Sequence, residues 1–173
     1  MLKLGIIERS STFLIVGAVL LFFVSSTNRD EQKIAHLIDS LLISLHQEIE
    51  ISLLVQSRSD DIYMKRFARK VVRKNRSDIK LLTSWREAYF SSEKISFEGH
   101  QINLGNLLDL KNHQFNKLYI DLMIKELDGI LLLMKRKQTH KRYDFLEAYL
   151  QRNEKMVKER KRELLKMNDH GLN

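Results

Sequence analysis

The stretch FNKLYIDLMIKELDGILLLM, residues 115–134, decides the fold. Phe115, Tyr119 and Met123 recur at four-residue steps, the period of an amphipathic helix and not the alternation of a strand. Two features sit awkwardly in it. Glu126 and Asp128 place carboxylates inside an otherwise apolar run, and Gly129 interrupts the run where a helix gains nothing from glycine.

The rest of the chain agrees with a helical reading. It has 173 residues, a length that suits one domain. It contains no proline and only six glycines, so nothing breaks long helices and the turns a β-sandwich needs are missing. It contains no cysteine, which excludes disulfides, thiolate catalysis and zinc fingers. The net charge is +8, unevenly placed: residues 30–60 carry two basic and six acidic side chains, and residues 61–90 carry nine basic and three acidic. Such a balance suits an anionic partner or a packing of acidic segment against basic.

Ser10 to Asn28 holds no charged residue, and Lys3 and Arg9 precede its apolar core. Residues 1–29 therefore predict a signal anchor, with a cleaved signal peptide as the alternative. The core is short against the about 20 residues of a spanning helix, but the flanking serines and threonines extend it. An inner-membrane anchor would hold the remainder outside the cytoplasm; cleavage would release it into the periplasm.

Four helices follow. Ile34, Ile38, Leu42, Leu45, Ile49 and Leu53 predict a first helix over about 30–57. After the polar turn Arg58–Asp61, in which Asp60 or Asp61 can cap, a second runs over about 61–90 with Met64, Phe67, Ala68, Val71, Val72, Ile79, Leu82, Trp85 and Tyr89 inward. Residues 91–106 carry two glycines and predict a crossover. The third helix is expected over about 107–137, a turn at 137–140, and the fourth over about 141–167, ahead of a frayed tail at 169–173. Two hairpins, 30–90 and 107–167, then build an all-α four-helix bundle over 30–168. The halves read as repeats: FARKVVRKNRSDI at 67–79 aligns with FLEAYLQRNEKMV at 145–157, matching Asn75 to Asn153 at a spacing of 78. The first and third helices align more loosely, at 81, through Ile34, Ile38 and Leu42 against Phe115, Tyr119 and Met123.

These motifs resemble a bacterial family known as domain of unknown function three-hundred-and-five. Its first helix reads F-D-x-x-F-I-x-x-M-I-x-H-H-Q-G-A-I, a frame that Phe115, Asn116, Tyr119, Ile120, Met123, Ile124 and Gly129 follow. Its second reads A-x-x-I-I-x-x-Q-x-x-E-I-x-x-M, followed by Ala68, Val71, Val72, Asn75, Asp78, Ile79 and Leu82, and less closely by Tyr149, Leu150, Asn153, Met156 and Val157. The resemblance covers residues 33–90 and 110–165. It implies a ferritin-like, exported bundle, and in some members an association with copper or other metals. It also implies that Gly129 lets helices approach closely. The family's paired histidines are broken here. They fall on Glu126 and Leu127 in the second half, and on Leu45–His46 or Ser44–Leu45 in the first.

The candidate sites are few. His46, Asp78 and Glu126 could form a reduced metal site, with Asn75 and Asn153 in the same polar layer. Only one histidine is well placed for zinc or copper, so a hydrogen-bonded layer that sets helix register is preferred. His36, His100, His113, His140 and His170 lack ligand spacing and read as surface residues. Met64, Met123, Met134, Met156 and Met167 suit soft copper but recur on core faces, so packing is the preferred reading. Lys65, Arg66, Arg69, Lys70, Arg73 and Lys74 make a basic stripe on the second helix, suited to anionic headgroups or an envelope protein. Nucleic acid is not expected for an exported domain. No phosphate loop, nucleophile elbow or HExxH is present. The expectation is a non-catalytic envelope protein without a required cofactor, with copper-type metal binding as the alternative.

Overall fold

The computed structural model describes residues 5–90, 110, 112–135 and 143–170, with side chains from residue 31 onward. It contains four helices: α1 (Gly5–Arg58), α2 (Ile62–Tyr89), α3 (Asn112–Met134) and α4 (Asp144–His170), and no strand among the described residues. The chain divides into two compact units, Met1–His36 and Leu37–Asn173. The first is the amino-terminal part of α1. Its apolar run at 10–28 and the anchor expected there lie outside the described side chains. Among the residues whose side chains are described, no helix is long and apolar enough to cross a membrane. α1 runs without a break past residue 29 to Arg58, with no proline to interrupt it.

The second unit is the four-helix bundle. Arg86 of α2 pairs with Asp39 of α1, and Asn75 reaches Leu45 and Glu48, so α1 and α2 run antiparallel. Lys70 meets Glu163 while Trp85 meets Phe145, so α2 and α4 also run antiparallel. Ser52 meets Tyr119, and the Arg58 guanidinium lies over the Phe115 ring at 5.8 Å, which sets α3 antiparallel to α1. Asp128 and Lys161 join α3 to α4.

Local chemistry explains the ends. α1 closes at the Ser59–Asp61 turn, and Asp61 caps α2 by accepting the Tyr63 and Met64 N–H groups at 2.7 and 3.2 Å. Leu37, Leu41, Leu42 and Leu45 of α1, Phe67, Val71 and Leu82 of α2, Phe115, Tyr119 and Met123 of α3, and Leu146, Leu150 and Leu164 of α4 are all buried. Each such side chain contributes roughly 1.5–3 kcal/mol. Leu53 and Tyr89, expected inward, are 43% and 46% exposed. α3 begins five residues later than expected, and α4 continues through His170, which the tail at 169–173 did not foresee. The crossover at 91–106 and the turn at 137–140 lie outside the described residues.

Gly129 departs from its expected role. It is exposed on α3, and a Cβ built there meets nothing within 4 Å. No close helix approach requires it.

Candidate functional site

The bundle interior carries charge. Glu48 is fully buried on α1, and its Oε2 accepts from Asn75 Nδ2 at 2.5 Å and from Arg160 Nη1 at 2.9 Å. Arg160 Nη1 also donates to Asn75 Oδ1 at 3.2 Å, closing a triangle between α1, α2 and α4. A buried carboxylate needs such a cation and such donors, because desolvation of a lone charge is prohibitive. Glu48 Oε1 and Arg160 Nε remain buried without a hydrogen-bond partner among the described residues.

A second cluster lies on the α2–α4 face. Lys74 Nζ donates to both Asp78 carboxylate oxygens and to Asn153 Oδ1 at 3.0 Å, while Asn153 Nδ2 donates back to Tyr149 O at 2.9 Å. Asp78 is 5% exposed and Asn153 is 3% exposed, so this layer is interior too. On the α1–α3 side, the Ser52 and Tyr119 hydroxyls lie 3.3 Å apart. Burial pushes the Tyr119 hydroxyl well up, and Glu48 adds to the rise. Burial likewise raises Tyr149, with Asp78 adding to it. Burial raises the Glu126 carboxyl, with the Glu48 charge second and Lys125 opposing.

The five residues expected in one polar layer are divided: Asn75 joins Glu48 and Arg160, Asp78 and Asn153 join Lys74, and His46 and Glu126 belong to neither cluster. The metal site expected from His46, Asp78 and Glu126 is not assembled. His46 is exposed on α1, Asp78 is engaged by Lys74, and Glu126 is half-buried on α3. Among the described residues no three His, Cys, Asp or Glu side chains group closely enough to hold an ion. Glu48 was hidden in the sequence by register, and Arg160 by its place in a densely charged stretch of α4. Burial repeats between α1 and α3 at 78 residues, not 81: Leu37, Leu41, Leu42, Leu45 and Ile49 match Phe115, Tyr119, Ile120, Met123 and Leu127, all buried. The same spacing relates α2 to α4. It makes Glu48 the positional twin of Glu126, a pairing the 81-residue alignment hid.

The basic stripe is partly dissolved by the fold. Lys74 turns inward to Asp78, Lys70 pairs with Glu163 at 3.2 Å, and Lys65 is half-buried. What remains is a ridge of exposed cations at Arg66, Arg69 and Arg73, continued by Arg76 and Lys80. The steps of three, four, three and four keep all five on one helix face. None of them makes an ion pair among the described residues. The acidic segment of α1 meets α2 elsewhere, through Asp39 with Arg86 and Glu48 with Asn75.

No protein-family model matches the sequence, and comparison with curated protein sequences gives no match. Solved structures do match. CopM in its Cu(I)-bound form aligns with TM-score 0.69 at 13% identity, covering 79% of this chain and 95% of that one. CopM in an Ag-bound form obtained by soaking aligns with TM-score 0.64 at 14% identity, over 79% and 94%. CopM in its Cu(II)-bound form aligns with TM-score 0.57 at 17% identity, over 75% and 93%. At these identities the likeness establishes the shared helical-bundle fold.

Proposed function

We propose that this chain is a non-catalytic envelope protein, anchored by residues 1–29, whose bundle holds an anionic partner on the α2 ridge. The observation that carries the reading is the contrast between inside and outside. Interior carboxylates are neutralised by Arg160 and Lys74, whereas five exposed cations of α2 make no ion pair among the described residues. Five aligned charges over four helical turns form a potential that attracts an anionic surface, such as phospholipid headgroups. The resemblance to domain of unknown function three-hundred-and-five supports an exported, ferritin-like bundle. With the 78-residue register, its paired-histidine positions hold Glu48–Ile49 and Glu126–Leu127. The interior then carries an ion-pair network where the family frame has imidazoles.

The test is sedimentation of the full chain in detergent-free nanodiscs against vesicles of phosphatidylglycerol and of phosphatidylcholine. Salt-sensitive capture by the anionic vesicles alone, lost in R69E/R73E, is expected. Equal capture by both, or capture indifferent to R69E/R73E, removes the ridge from the function.

A second reading is copper-type metal binding, favoured by the bundle likeness to CopM in copper- and silver-bound forms. On this reading the ligands lie outside the Glu48 network, whose oxygens already accept from Asn75 and Arg160.

A further inference from the structure

We propose that a cavity at one end of the bundle binds a soft monovalent metal ion, Cu(I) or Ag(I), through the Met64 and Met167 thioethers and the His113 imidazole. The proposal rests on the metal-binding reading and gives it a location. The cavity is about 140 Å³ and lies where α2 and α3 begin and α4 finishes. A water needs only about 10–15 Å³ of such space, so an ion with a remaining water fits.

The lining has the right chemistry. Thioether and imidazole donors select Cu(I) and its congeners, whereas structural zinc takes thiolate, imidazole and carboxylate ligands. Met64 lines the cavity and is 2% exposed, so it is held within the bundle. Met167 is half-buried on α4, and His113 stands exposed at the mouth. The three donors come from three helices, which is why no ligand spacing appears in the sequence.

Asn116 also lines the cavity, but its Oδ1 is closed to solvent and has no hydrogen-bond partner among the described residues, so it is not counted among the ligands. Asp61 also lines the cavity, fixed there by its capping bonds to Tyr63 N and Met64 N, and its charge matches that of a monovalent ion. Lys117 lines the cavity as well and opposes a cation, although it is exposed to the screening of water.

The test is calorimetric titration of the purified full chain with Ag(I), and of the same chain with Cu(I) against a chromophoric chelator. One equivalent is expected, with Zn(II) binding much weaker. M64L and M167L keep the apolar volume and remove the sulfur. Together with H113Q they are expected to weaken binding by at least about tenfold, since even outer-shell partners of a metal matter by that much. Helical circular dichroism identifies any variant that fails to fold. X-ray absorption at the copper edge of the unmodified chain is then decisive, with sulfur scatterers expected. Unchanged affinity in the folded triple variant, or nitrogen and oxygen ligands only, overturns this site and leaves the metal-binding reading standing. No binding of Ag(I) or Cu(I) by the unmodified chain overturns both.

Discussion

Glu48 shows how a single residue organises this bundle. It has no solvent exposure, so its charge is held by Arg160 and Asn75 alone. Removing the cation strands the carboxylate. R160M is expected to cost about 3 kcal/mol, the lower end for breaking a buried pair, because Arg160 keeps 16% of its side chain exposed. E48Q/R160M removes the stranded charge and recovers part of the loss. Urea unfolding at neutral pH measures both, and a loss under about 0.5 kcal/mol for R160M would show the pair to be incidental. Glu126 carries the opposite problem. Burial and Glu48 raise its pKa above the ordinary 4.5, so the folded state favours the protonated form. Its contribution is complete below the unfolded pKa and is lost as pH rises through the folded one. E126Q is therefore expected to be more stable than the native chain at neutral pH, with the difference closing below pH 4.5. A difference that grows on acidification would reverse the sign of this account. Asn75 and Asn153 were legible in the sequence because the same polar residue interrupts a buried helical face at a fixed repeat of 78. Glu48 and Arg160 were not, Arg160 because it stands in a densely charged stretch of α4. A register error of three residues turns a helix by only roughly 60°, so the apolar pattern survives it while the polar twin is lost.

At the scale of elements, the sequence specified helix type more firmly than helix role. The absence of proline and the four-residue steps of Phe115, Tyr119 and Met123 foretold α3. Asp61 behaves as a cap should. Gly129 does not behave as a packing residue, because its Cβ position opens onto free space. In an exposed helix interior glycine costs roughly 0.5–1 kcal/mol against alanine. G129A is therefore expected to raise stability by about that amount, read as a higher denaturant midpoint with unchanged slope. A loss of stability would mean that α3 needs the freedom of glycine or the space its surface leaves. Exposure is the quantity a single helix cannot reveal. Gly129, Leu53 and Tyr89 each lie near the edge of an apolar stripe, and only the placement of neighbouring helices assigned them to solvent.

For the whole molecule, the ridge on α2 bears on stability as well as binding. Arg66, Arg69, Arg73, Arg76 and Lys80 repel one another along one face, and no acidic side chain among the described residues pairs with them. The chain carries +8 in total, so the unrelieved charge adds to a general self-repulsion. Screening should relieve it. Raising salt from about 0.01 M to 0.1 M shortens the Debye length from about 30 Å to about 10 Å, enough to damp repulsion between successive ridge charges. The same change weakens the exposed pairs Lys70–Glu163 and Lys161–Asp128, but such pairs are worth about 0.2–1 kcal/mol each at most. The melting temperature is therefore expected to rise by a few degrees as salt is added, at about 2–4 °C per kcal/mol for a chain of this size. R73E provides the matched control. A glutamate there sits between Arg69 and Arg76 and gains two helical ion pairs of roughly 0.2–0.5 kcal/mol each. At low salt R73E should melt higher than the native chain while binding anionic vesicles more weakly. That combination would show that the ridge is kept for a partner at the expense of stability. A melting temperature that falls with salt, or an R73E chain that is less stable, would instead mean that the ridge is neutralised within the fold.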